Sequence, residues 1–254
     1  MSVEPKHSML DRVSLCILLA VTALAPVFFV PVSFISAQFG TSLLFGFGVI
    51  ASILIYLISG IVLGSIELPN PSRYVVGFSA VVPLVYILAG VSNGFSRMAF
   101  FGYTFDQSTV GFVVLGFVYM FLVSIILKDK VRLIYGQYAF VFSGLVLSLW
   151  LLARLAFGAN FLAFGLFANI TSTVLGTWNS VGIFFGISSI LSLIGCQLIK
   201  GSKLLKGLLL LGLVVSLFFV ALVNFSTVWI VLGVVSFLYI LYSLFTVDLL
   251  GGMP

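Results

Sequence analysis

Long apolar stretches alternate with short polar gaps along nearly the whole chain. The apolar runs fall at about Val13–Ser36, Thr41–Gly64, Tyr74–Ser92, Thr109–Leu127, Val131–Leu152, Thr177–Ile199, Leu204–Val223 and Val228–Phe245. Each run is about 20 residues long, and at about 1.5 Å rise per residue a helix of that length crosses a hydrocarbon layer of about 30 Å. Backbone groups in lipid must find hydrogen-bond partners within the segment, so each run predicts a helix. A membrane barrel would instead show segments of about ten residues alternating apolar and polar, and this chain has none. The pattern predicts an all-α, polytopic transmembrane helical bundle of about eight spans. Residues 1–12 form an N-terminal tail, 13–245 the transmembrane domain and 246–254 a short C-terminal segment.

Composition agrees with that pattern. Hydrophobic residues make up 62% of the chain and charged residues 7%, and the mean hydropathy is +1.36. These values lie outside the range of a soluble domain with a polar surface. The few charges also orient the chain. With the N-terminus cytoplasmic, Lys6, Arg12, Arg73, Lys128, Lys130, Arg132, Lys200, Lys203 and Lys206 fall inside, and only Arg97 and Arg154 fall outside. The positive-inside rule therefore predicts a multi-pass protein with its N-terminus on the cytoplasmic side. The net charge of +5 is thereby read as topogenic. It does not point to nucleic acid, because the basic residues are spread over separate short gaps.

The polar, mixed-charge N-terminal dozen is a poor signal n-region, and the run after it is too long for a cleaved h-region. It reads as a retained first helix. Cys16 and Cys196 fall inside runs and read as small packing residues. Gly60 with Gly64, and Gly182 with Gly186, have the small-xxx-small spacing that allows close helix approach. Pro26 and Pro31 in the first run and Pro83 in the third should kink or loosen their helices.

No run carries an acidic residue or a lysine at its centre, which argues against an ion-coupled pump or proton relay. Transport of a neutral solute stays open. The lone histidine, His7, lies in the tail, and no residue pattern points to a metal or a cofactor. The polar content gathers in the predicted outer gaps. Asn93–Ser108 holds Arg97, Asp106 and five aromatics. Ala153–Gly176 carries one charge, Arg154, and is too long for a tight turn and too apolar for a solvated loop. A re-entrant or surface-lying amphipathic segment is expected there. Within it Asn169-Ile170-Thr171 matches a glycosylation sequon. The third gap is Asn224-Phe225-Ser226-Thr227.

Gly176-Thr177-Trp178-Asn179-Ser180-Val181-Gly182-Ile183-Phe184, at the start of the sixth run, resembles the G-T-F-G-N-P-N-x-L-A pattern of the O-antigen ligase and polymerase superfamily. The stretch from Gly90 to Gly102, with Ser96-Arg97-Met98-Ala99-Phe100-Phe101-Gly102, is similar to that family's S-x-x-P-x-x-S-F-F-G segment. Asn224-Phe225-Ser226-Thr227-Val228-Trp229 occupies the place of its T-x-S-R-G-x-W stretch. The likeness runs in order over most of the chain, and a bacterial source, with a place in the cytoplasmic (inner) membrane, is part of what it implies. So is an activity: transfer of glycan from a polyprenyl diphosphate carrier to an acceptor at the outer face. Such a reaction needs cations against the diphosphate and a base for the acceptor hydroxyl.

On that likeness Arg154 and Arg97 are candidate diphosphate contacts, Asn179 and Trp178 candidate substrate contacts at a helix N-terminus, and Asp106 the candidate catalytic base. Each has a plainer reading beside it. The arginines would anchor helix ends at headgroups, Asn179 would cap its helix beside an interfacial Trp178, and Asp106 would be an exposed loop residue. Two departures weigh on the likeness. Thr227 stands where the family has arginine, and the chain stops at Pro254, before the large outer loop that the family carries; a fragment or a divergent member is expected. The alternative function is a non-catalytic membrane anchor or partner-binding module.

Overall fold

In the computed structural model the described residues are 9–32, 35–64, 73–103, 106–167, 169–198 and 203–250. They are helical with no named strand, and one isolated bridge pairs Thr173 with Gly176. The helices are α1 (Met9–Leu24), α2 (Ala37–Leu63), α3 (Arg73–Ser92), α4 (Arg97–Phe101), α5 (Val110–Ile126), α6 (Lys130–Phe157), α7 (Trp178–Leu198), α8 (Lys203–Val223) and α9 (Ser226–Leu250). All but the five-residue α4 lie on the apolar runs. Four of them, over Ala37–Leu63, Lys130–Phe157, Trp178–Gln197 and Lys203–Val223, are long and apolar enough to cross a membrane. Gly77–Ser92, Val110–Ile126 and Ser226–Tyr242 are shorter apolar helices. The chain is all-α, and its apolar helices suit a lipid bilayer. Lys6, His7 and Lys200 lie outside the described residues, as do Thr104, Phe105 and 251–254.

The chain divides into two compact units, Met1–Ile170 and Thr171–Pro254. In the first, α1 packs on α2, α5 and α6, and α5 also meets α2, α3 and α4. Its core gathers Leu18, Val49, Leu122 and Ile126, all nearly or fully buried. The α1–α2 contact is close because Gly48 leaves room for Val21, and Gly40 likewise leaves room for Val30 of the stretch between the two helices; a Cβ at either glycine would press into the facing valine. One turn beyond Gly48, Ser52 meets Ser14. Each hydroxyl donates to the other's backbone carbonyl, at 2.9 and 3.1 Å, and the two oxygens lie 3.1 Å apart with both side chains fully buried. Such pairs satisfy polar groups where no water is at hand. Thr22 and Tyr119 make a second polar link, 2.6 Å, between α1 and α5.

The first helix is shorter than its apolar run. It ends at Leu24, and 25–32 continues as a turn and extended chain. Pro26 has no N–H for the helix ladder, and Pro31 pushes the residue before it toward extended backbone. The start of α2 ties back to this stretch through the Thr41 hydroxyl, which donates to the Phe28 carbonyl at 2.8 Å. In α3, by contrast, the helix runs on through Pro83.

The two glycine pairs behave differently. Gly64 is the left-handed cap of α2, with φ 70° and open space where a Cβ would stand. Its role is to end the helix, while Gly60, one turn before it, is buried. Gly182 and Gly186 do permit close approach: a Cβ there would lie 2.9 Å from Val223 and 2.8 Å from Val228. In this second unit α7 packs chiefly on α8, where Phe185 stacks on Phe219 at 4.5 Å between centroids.

Candidate functional site

Trp150 and Arg154 are four residues apart on α6 and so share one face. Just beyond, Gly158 donates its N–H to the Arg154 carbonyl at 2.9 Å and, with φ 99°, turns the chain out of the helix. Residues 158–167 then fold as consecutive tight turns, closed by Phe161 to Gly158, Ala163 to Asn160 and Leu166 to Ala163. Leu162 and Phe164 sit at φ of 51° and 50°, a region that costs an ordinary side chain about 1–3 kcal/mol. No helix forms among the described residues between Phe157 and Trp178, so the segment expected to be re-entrant or surface-lying is built of turns. The segment is too short of polar groups to be solvated, and its own turns satisfy much of its backbone.

Arg154 holds this loop. Its side chain is fully buried. Nε and Nη2 donate to the Ala159 carbonyl at 3.2 and 2.9 Å, and Nη2 also donates to the Asn169 carbonyl at 2.9 Å. The guanidinium carbon lies 4.8 Å from the Trp150 ring centroid and 5.3 Å from that of Phe167. The planar fork thus bridges both ends of the loop while the aromatic faces offset part of its desolvation. Phe29, in the stretch between α1 and α2, completes the cluster against Trp150, Phe164 and Phe167. Trp150 Nε1 adds a bond of 3.4 Å to the Leu162 carbonyl.

The other residues singled out from the sequence stand apart from this cluster in their described contacts. Arg97 is exposed at the first position of α4, whose start is capped by Ser96 Oγ accepting from the Ala99 N–H at 3.2 Å. Asp106 is half-buried. Its Oδ2 accepts from the Tyr103 N–H at 3.3 Å, and its carbonyl accepts from the Thr109 N–H and hydroxyl. Asp106 therefore shapes the turn that leads into α5.

Asn179 and Trp178 belong to the second unit. Thr177, rather than Asn179, makes the capping contacts of α7, with its hydroxyl 3.4 Å from the Ser180 N–H and 3.0 Å from the Ser180 hydroxyl. The cap must precede the first helical residue, and Asn179 is already the second, so its side chain is exposed. Trp178 is half-buried. Among the described residues no group of three His, Cys, Asp or Glu side chains gathers to hold a metal.

One polar site escaped the sequence reading. Asp11 and Asp129 both pair with Arg132, at 2.5 Å to Nη2 and 3.3 Å to Nε, and Nη1 donates to the Ile126 carbonyl at 3.2 Å. The Arg132 side chain is 9% exposed and that of Asp11 14%. The signal was the lone acid in the first turn of an apolar helix, which needs a partner if it is to be buried.

No protein-family model, no curated protein and no solved structure matches this chain.

Proposed function

We propose that the chain is an eight-span protein of the cytoplasmic membrane with its N-terminus inside, serving as a membrane-embedded anchor or partner-binding module. The Asp11–Arg132 pair supports the topology. It brings the start of α1 beside the start of α6, where α5 ends at Ile126. An even number of crossings must therefore separate the two starts, and α1, α2, α3 and α5 supply four. Arg12, Lys128 and Lys130 are exposed at that end, as the positive-inside rule wants of a cytoplasmic face.

The observation that carries the functional reading is the burial of Arg154. A cation meant for a diphosphate keeps its fork open to the ligand. Arg154 instead spends Nε and Nη2 on loop carbonyls and lies between two rings. Its work is structural. The test is binding of a polyprenyl diphosphate to the full chain in detergent. Saturable binding lost on Arg154→Ala, with unchanged helicity, would sink this reading.

The exposure of Arg97 favours a second reading, the glycan transfer that the O-antigen ligase likeness implies. Asp106 would be its base, and Arg97 would face the diphosphate. Loss of glycan transfer in cells on Arg97→Ala, with normal insertion, would support that reading, and full transfer would remove it.

A further inference from the structure

An open cleft of about 380 Å³ runs between α2 and α5, within the range of about 300–1,000 Å³ usual for ligand sites. Gly46 and Ile50 form part of its α2 wall and Gly111 and Val114 part of its α5 wall, with Phe101 of α4 against it. The lining is almost wholly apolar. At Gly46 a Cβ would meet only Leu115 within 4 Å, at 3.6 Å, so the space beside it is open. The one hydroxyl in the lining belongs to Ser42, which is 1% exposed and whose Oγ has no hydrogen-bond partner among the described residues. A buried hydroxyl without a partner is costly, and an acceptor lying in the cleft would supply one.

Charge stands close by. Arg97 lies four residues before Phe101, on the same face of α4, and is exposed. Its nearby carboxylate, Asp106, is engaged with the Tyr103 N–H. Phe95, Met98, Phe101 and Tyr103 are exposed around it, at 67%, 46%, 52% and 85%. A tyrosine and apolar side chains exposed beside a cation suit a membrane interface, where tyrosine is enriched.

We propose that this cleft is the site of a resident anionic glycerophospholipid. One acyl chain lies between α2 and α5, an ester carbonyl accepts from Ser42 Oγ, and the phosphate meets Arg97. The complementarity is specific to this end of the protein: an apolar slot, one unmet hydroxyl and one exposed cation on the helix that borders the slot. The inference rests on the membrane reading above and is independent of which side α4 faces.

Native mass spectrometry of the full chain, released from nanodiscs of dioleoyl phosphatidylglycerol or dioleoyl phosphatidylcholine, tests it. The phosphatidylglycerol adduct should persist and the phosphatidylcholine adduct should not. Arg97→Ala should lower phosphatidylglycerol retention about fivefold, the weight of one interfacial cation, and Arg97→Lys should restore most of it. Gly46→Leu should abolish retention by filling the slot. Its Cβ has ordinary contact, 3.6 Å to Leu115, so the helix pair should survive. Lys130→Ala, at an exposed cation outside the cleft, should change nothing. Equal retention of the two lipids, or indifference to Arg97→Ala, overturns the proposal. So does preferential retention of an added prenyl diphosphate, which would return Arg97 to the glycan reading. Release of the native protein from membranes by alkaline carbonate would overturn the membrane reading itself, and is read separately.

Discussion

Asp11 and Arg132, 121 residues apart, meet at 2.5 Å and join the first turn of α1 to the first turn of α6. Arg132 is shared with Asp129, so the two acids are not equivalent. Removing Asp11 takes the shorter of these two contacts from the guanidinium and leaves the one to Asp129. Removing Arg132 takes the common cation from both carboxylates, of which Asp11, 14% exposed, is poorly hydrated and Asp129, 46% exposed, is not. Loss of one member of a buried pair costs about 3–5 kcal/mol, and partial exposure should bring this pair to the lower end.

The expected order of destabilisation is Arg132→Ala, then Asp11→Ala, then Asp129→Ala. Thermal unfolding of each variant in one detergent would check it. An Asp129 variant as damaging as the Arg132 variant would show that Asp11 does little.

Arg154 makes a different kind of prediction, because its bonds reach carbonyls and rings. Arg154→Lys keeps the charge and loses both the planar fork and the stacking. It should behave almost as badly as Arg154→Ala in holding the 158–167 turns. The readout is hydrogen exchange of Phe161, Ala163 and Leu166, whose N–H groups close those turns. Faster exchange confined to this loop is expected in both variants, with α6 protected up to Leu151. Full protection in Arg154→Lys would mean that charge alone holds the loop.

The sequence made the helices legible because membrane helices announce themselves by length and apolarity, and all eight long helices lie on the runs. The first run misled at its far end: Val13–Ser36 is apolar throughout, yet α1 stops at Leu24, since hydropathy cannot register the missing N–H of Pro26. The site was far less legible. Arg132 read as a cytoplasmic topogenic cation and Arg154 as a candidate diphosphate contact, and only three-dimensional contact reveals that each is enclosed. The Ser14–Ser52 pair was invisible for a similar reason, because serine is common in apolar helices and only its partner across the interface gives it meaning. Gly60 and Gly64 had the same spacing as Gly182 and Gly186, and backbone φ alone separates a cap from a packing surface.

That difference can be measured. Gly182→Val and Gly186→Val would force a side chain against Val223 and Val228, and overpacking typically costs about 1–3 kcal/mol. Gly64→Ala meets open space and suffers only from its left-handed backbone, about 1–2 kcal/mol. All three should destabilise the protein. A compensating Val228→Ala should rescue Gly186→Val and leave Gly64→Ala unimproved. Rescue of both would mean that the substitutions act through some shared, nonlocal effect.

The even number of crossings proposed between α1 and α6 also has a direct consequence. Lys130 at the start of α6 and Phe164 in the loop beyond its end are both exposed, and α6 has the length and apolarity to separate them by a bilayer. In a chain with Cys16 and Cys196 replaced by serine, Lys130→Cys should react with a membrane-impermeant maleimide only after the cells are opened. Phe164→Cys should react in intact cells. The reverse pattern would turn the protein over while keeping α6 as a span. Reaction of both from one side would remove α6 from the spans and, with it, the eight-span count.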